Sequence, residues 1–337
     1  MCIRDREYIG RAWELDPENR DLTLAYVELL AMSGDEDKAR NILRDMSQSP
    51  EVMLTRILFE LSANDRAAAE QLFREFGETP FDDLQEKAFY QAQAAEALGR
   101  ADEAIVLYGR VTTGDRALAA TVRGAELKAS SGDIDGARID LAGLRKQPNP
   151  AVVEESWLAE SMILREAGRR EEAFQVLDAA LSSMPDSIAI LYSHALLAAE
   201  LGWIDIAEND LRVVIAAQPE NAAVLNALGY TLADQTERYE EAEALIRQAY
   251  ILEPDEASII DSMGWIAYRR GRLAEATEYL QRAWALDRNP EIAAHLGEVL
   301  WVDGRKDEAV AVWREGQAVD SGNAVLVETL TRLGVSL

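Results

Sequence analysis

Two histidines, His194 and His295, are the only imidazoles in 337 residues, and about a hundred positions separate them. Acid–base or metal chemistry needs partners within reach of such a ring. Glu291, His295 and Glu298 fall at i, i+4 and i+7 on one helical face, a spacing that could hold a metal. One imidazole is a poor donor set for it, so no metal site is expected. His194 falls where its helix turns inward and is expected to be a packing histidine. No Gly-rich phosphate loop, His-Glu-x-x-His pair or nucleophile elbow is present. Carboxylate pairs abound in so acidic a chain and carry no information alone. No catalytic residue and no cofactor is therefore expected, and the chain does not read as an enzyme.

The charge narrows the partners. Lys and Arg number 34 against 61 Asp and Glu, a formal balance of −27. Acidic residues dominate both the first two-thirds and the last third, and no basic stripe exists. Nucleic acid and anionic membrane surfaces, both recognised by clustered cations, are disfavoured. No apolar run approaches the 18 or so residues of a membrane span. The single cysteine, Cys2, excludes a disulfide within the chain, and it lacks the basic and apolar segments of a signal peptide.

What could do chemistry is recognition. Leu225, Leu228, Gly229 and Leu232 form a packing stripe on one helix, and Asn226, Tyr230 and Asp234 form a second stripe beside it at steps of four. Asp261, Trp265, Tyr268 and Arg269 repeat the arrangement, followed by Glu298 and Trp301. Upstream, the matching positions are Leu158 and Met162, then Tyr192 and Leu196. These rings and polar groups either line a groove or fill the interface between successive helices.

The elements that must position them recur along the chain. Ala39, Ala69, Ala104, Ala137, Ala173, Ala207, Ala242, Ala276 and Ala309 follow one another at steps of 30 to 36 residues. Five positions before eight of them stands a turn residue: Gly34, Asn64, Gly99, Gly132, Gly168, Gly202, Gly271 or Gly304. Gly or Asn suits a chain that must visit left-handed φ between two antiparallel helices. The ninth, Ala242, follows Gln235-Thr-Glu-Arg-Tyr239, one residue longer. The short step from Ala39 to Ala69 implies a shortened second helix around Asn41 to Met46. The prolines fall at unit ends, where they are expected to stop helices. Gly229 and Gly264 should let paired helices approach closely, with Gly264→Leu overpacking the contact and Gly264→Ala nearly neutral.

This pattern resembles an array of tetratricopeptide repeats, helical hairpins of about 34 residues. The Leu-Gly pair of the first helix, the second-helix alanines and Pro17, Pro185, Pro219 and Pro254 carry the resemblance. Val27, Ile57, Ala92, Ala125, Ser161 and Ala195 depart from it at the first-helix glycine. It implies an all-α fold, an α-solenoid wound as a right-handed superhelix. Residues 20–323 then hold nine repeats, 324–337 a capping helix with Glu328, Thr331 and Arg332 on its polar outer face, and 7–19 half of a second helix from a truncated repeat. Residues 1–6 read as a non-native segment, and the chain as a fragment.

In that family the second stripe lines a concave groove that binds other proteins or extended peptides. A carboxylate clamp for a partner's C-terminus would need several cations there, and only Arg165 and Arg269 qualify. The segments around Asn226–Asp234, Asp261–Trp265 and Glu291–Trp301 resemble the closing repeats of proteobacterial outer-membrane lipoproteins. Some of those are adaptors that hold a carboxy-terminal processing protease and deliver cell-wall hydrolases to it. The resemblance implies a non-catalytic periplasmic scaffold, its lipid anchor upstream. Two alternatives stay open: a cytoplasmic regulatory or assembly module, and the repeat portion of a larger enzyme such as a glycosyltransferase.

Overall fold

Asn64 stands at a φ of 59°, the one described non-glycine residue in the left-handed region. It occupies the position that glycine fills, also at positive φ, in the seven other turns of its kind, from Gly34 to Gly304. Each stands between two helices, and those flanking Gly34, Asn64, Gly99, Gly132, Gly202, Gly271 and Gly304 lie side by side. In a computed structural model, which describes residues 3–16, 19–46 and 48–337 with side chains from residue 8 onward, these helices number twenty. The fold is all-α, an α-solenoid of packed helical hairpins.

The chain forms two compact units, Met1–Ile163 and Leu164–Leu337. The first ten helices are α1 (Ile3–Leu15), α2 (Arg20–Met32), α3 (Glu36–Asp45), α4 (Pro50–Ser62), α5 (Arg66–Glu78), α6 (Leu84–Ala97), α7 (Ala101–Tyr108), α8 (Ala117–Ser130), α9 (Ile134–Leu144) and α10 (Pro150–Glu166). The others are α11 (Arg170–Ser183), α12 (Ile188–Glu200), α13 (Ile204–Ala217), α14 (Ala222–Gln235), α15 (Tyr239–Leu252), α16 (Ala257–Arg269), α17 (Leu273–Leu286), α18 (Pro290–Val302), α19 (Lys306–Val319) and α20 (Ala324–Leu333).

All nine periodic alanines are buried with no exposed surface. A larger side chain at these positions would push the second helix off its partner. The first-helix glycines of the second unit answer to the same constraint. A Cβ on Gly229 would come within 2.6 Å of Ile246 Cγ1, one on Gly264 within 2.5 Å of Leu280 Cγ, and one on Gly297 would overlap the Trp313 indole. The expectation that Gly264→Ala is nearly neutral is therefore overturned: even a methyl group does not fit.

Helix ends follow local chemistry. Asp83 caps α6 by accepting from the backbone N–H groups of Gln85 and Glu86, which fixes where that helix starts. Pro50 and Pro290 open helices instead of closing them, because the first turn has no use for the missing N–H. The second helix α3 is short, as the 30-residue step requires; α7, with only eight residues, is shorter still and was not anticipated. Helix α1 starts at Ile3 and runs through the expected junction at residues 6 and 7. Cys2 and the closing proline Pro17 lie outside the described residues. Among those described, no helix is long and apolar enough to cross a membrane.

Candidate binding cleft

Four first-type helices pack in sequence in the second unit, α14 on α16, α16 on α18 and α18 on α20. Gly229, Gly264 and Gly297 draw α14, α16 and α18 each against its own second helix. Between them opens a cleft of about 570 Å³, walled by Tyr230, Asp234, Trp265, Tyr268, Arg269 and His295, with Glu298 below and Val325, Glu328, Thr329 and Arg332 of α20 opposite.

The floor is an aromatic stack on a buried polar chain. Trp265 lies on the His295 ring, centroids 4.2 Å apart and planes at 24°, and Tyr268 leans on its other side at 5.2 Å. The Trp265 indole donates to Asp234 Oδ1 at 3.2 Å. His295 Nδ1 lies 2.8 Å from Asp261 Oδ2, and its Nε2 lies 3.3 Å from the Tyr230 hydroxyl. Burial opposes charge on His295, but the Asp261 carboxylate outweighs it, with Glu291 and Asp234 adding to the effect, so the imidazole pKa is raised. Burial, then Glu291, hold the Tyr230 phenol well above its ordinary range, and burial raises Glu291 itself. The floor is thus a buried imidazole, its charged form favoured by Asp261, held between that carboxyl group and the Tyr230 hydroxyl.

The cations of the cleft are committed inward. Glu298, 3% exposed, accepts Nη1 and Nη2 of Arg332 at 3.0 and 2.6 Å and the Tyr268 hydroxyl at 3.0 Å. Burial and then Glu298 push the Tyr268 hydroxyl up to about 12. Arg269 donates to the Asp234 carbonyl at 2.6 Å and to the Tyr239 hydroxyl at 3.1 Å. The other clamp candidate, Arg165, pairs with Glu200. Arg332 and Glu328 therefore do not form a purely solvated outer face on the last helix, because both line the cleft.

The remaining expected groove residues sit elsewhere. Asp261 is buried beneath His295 with its Oδ1 unpartnered, and half-buried Asn226 likewise has a buried, unpartnered Oδ1. Trp301 packs on Trp313 at 5.6 Å, with Lys306 Nζ 4.6 Å over its ring. Tyr192 and Leu196 are half-buried on α12, and Tyr192 packs on the core around Leu228. Leu158, half-buried, and Met162, exposed, belong to the first unit. There, Arg145 lies 3.3 Å from the Trp157 ring centroid and, with Arg138, holds the buried Glu160.

His194 packs as expected, its ring tilted by 31° against Phe174 with centroids 4.0 Å apart, and 2.6 Å from Asp210 Oδ2. Among the described residues no three His, Cys, Asp or Glu side chains are placed to hold a metal. Sequence reasoning missed His295 as part of the floor, along with the whole α20 wall. The signal was available: Asp234 to Trp265, Tyr268 to Glu298, Asp261 to His295 and Glu298 to Arg332 are each separated by about one repeat length, 30 to 34 positions.

Residues 192–257 and 262–324 match the family model for the tetratricopeptide repeat, and these two stretches contain α14, α18 and most of α16. These two stretches carry tetratricopeptide repeats. A TPR repeat-containing protein of Pseudomonas aeruginosa is 42% identical over 193 residues, which cover 57% of this chain and 32% of that protein. The type IV pilus assembly protein PilF of the same organism is 30% identical over 99 residues, 28% of this chain and 39% of PilF. The repeat protein thus spans well under half the length of either relative. A tetratricopeptide repeat protein from Parabacteroides merdae shares the fold, with a TM-score of 0.50 and 16% identity over 80% of this chain and all of its own.

Proposed function

We propose that this repeat protein is a non-catalytic adaptor that holds an extended segment of a partner protein in the cleft between α14, α16, α18 and α20. The observation that carries the reading is the cleft itself. It is concave, walled by aromatic rings with polar groups at fixed positions, and built on packed helices, as a recognition site requires. The likeness to a pilus assembly protein, and the resemblance of the last third to outer-membrane lipoproteins, support a place in the cell envelope. There the partners would be a carboxy-terminal processing protease and its cell-wall hydrolase substrates.

The test is site-specific photo-crosslinking in cells of the source organism. A photoreactive residue in place of Val325, on the cleft wall, should crosslink to a defined peptide segment of a partner. The same residue in place of Ile139, exposed on α9, should not. Equal crosslinking at the two sites, or none at Val325, overturns the cleft as the binding surface. Fractionation of the native protein tests the envelope placement, and recovery in the cytoplasm alone would reject it.

A further inference from the structure

The cleft is arranged as the inverse of a carboxylate clamp. Its two arginines spend their donors inside the protein, Arg332 on buried Glu298 and Arg269 on the Asp234 carbonyl and Tyr239. Its carboxylates are only partly used. Asp234 takes the Trp265 indole on Oδ1, which also lies 3.7 Å from Arg269 Nη1, while its Oδ2 accepts no hydrogen bond among the described residues. Glu328, exposed on the opposite wall, has no hydrogen bond or ion pair among them. An incoming anion would have to displace internal bonds, whereas an incoming cation meets Asp234 Oδ2 and Glu328, which carry no hydrogen bond to be displaced although Arg269 and Arg332 lie near them.

The rings point the same way. The chain repeatedly covers its aromatic faces with its own cations, as Arg145 covers Trp157, Lys306 covers Trp301 and Arg288 covers Trp284. Among the described residues no lysine or arginine lies over Tyr230, Trp265 or Tyr268, and the face of Trp265 that His295 covers is closed to a ligand. A cation over such a face, flanked by carboxylates, is stabilised by both, and the overall charge of −27 favours its approach.

We infer, building on the cleft reading above, that the partner segment inserts a lysine or arginine side chain here. Tyr230 and Tyr268 receive its stem, and Asp234 and Glu328 its charge.

Selection of a displayed library of random linear 12-residue peptides on the full chain tests this, with parallel selection on Tyr268→Ala and on the double variant Asp234→Asn, Glu328→Gln, each confirmed folded by its thermal melt. Peptides enriched in Lys or Arg are expected, bound more weakly at higher salt and about tenfold more weakly by the double variant. Cationic peptides indifferent to the double variant would place binding on the acidic surface elsewhere and overturn the inference. Peptides without cations that lose binding in Tyr268→Ala would overturn the inference and leave the cleft standing. Failure to retain any peptide in preference to Tyr268→Ala would remove both.

Discussion

Asp261 Oδ2 and His295 Nδ1 lie 2.8 Å apart, on consecutive first-type helices, and both side chains are buried. Charging the imidazole makes this contact between neighbouring repeats an ion pair, whereas a neutral ring keeps only a hydrogen bond from Nδ1–H. In the unfolded chain a histidine titrates near pH 6.5 or so, and in the native protein Asp261 keeps His295 charged to a higher pH despite burial. The native state therefore holds the proton more tightly. Its contribution is fully present below the ordinary histidine value and is lost as pH rises through the raised native one. Glu291, raised by burial, acts in the same direction.

The melting temperature should accordingly fall as pH goes from about 6 to about 9, and more steeply in the natural protein than in His295→Gln. Repeating the scan on Glu291→Gln separates the two groups. Parallel profiles for the natural protein and His295→Gln would show that the pair carries no such linkage.

The glycines offer a test that is independent of function. Gly264→Ala places a methyl against Leu280 Cγ and the Ala276 carbonyl, and Gly297→Ala places one in the Trp313 ring. Each should cost roughly 1–3 kcal/mol, with Gly297→Ala the worse because an indole yields less than a leucine tip. Gly143 on α9 has nothing within 4 Å of its would-be Cβ. Gly143→Ala should raise stability by about 0.5–1 kcal/mol through helix propensity. Denaturant unfolding of the three variants gives the order, and a neutral Gly297→Ala would contradict the packing.

How much of this was legible depends on what each residue is asked to do. The alanines and turn residues were readable because backbone geometry dictates them locally: a close helix contact admits only a small side chain, and a left-handed turn favours Gly or Asn. Where the twist of the stack decides the outcome, the reading failed. His295 was set beside Glu291 and Glu298 on its own helix, yet its shortest polar contact is Asp261, 34 positions earlier. Trp301 and Trp265 occupy matching stripes, but Lys306 covers the first and the cleft receives the second. Arg332 was expected to face water, and it reaches buried Glu298 because α20 packs on α18 as another first-type helix would.

That contact leads to a prediction about the last helix. Arg332→Gln removes two hydrogen bonds to a buried carboxylate and leaves Glu298 with the Tyr268 hydroxyl. The half-exposed guanidinium moderates the loss, so about 1–3 kcal/mol is expected. It should be local: hydrogen exchange of α20 amides should speed up while amides of α12 keep their protection. Uniform acceleration across the second unit, or none in α20, would be inconsistent with a latch at this position.

The two rings of α16 should separate stability from recognition. Trp265 exposes 6% of its surface, stacks on His295 and donates to Asp234, so of the two roles the sequence left open most of its ring fills the interface between successive helices. Trp265→Ala should cost about 3–5 kcal/mol of stability, and any loss of partner binding would follow from unfolding. Tyr268 is half-buried with its ring on the cleft wall. Tyr268→Ala opens less of a cavity and leaves Arg332 on Glu298, so its melting temperature should fall far less. Its affinity for a cleft-binding peptide should still drop by about 2 kcal/mol, the usual size for an aromatic hot spot. Tyr268→Phe keeps the ring and gives up only the bond to Glu298, so it should retain most of that affinity. Melting and peptide binding measured on the same three variants decide the matter: a stable Tyr268→Ala with unchanged affinity would take this residue out of the site, and Tyr268→Phe binding as weakly as Tyr268→Ala would shift the contribution from the ring face to the hydroxyl.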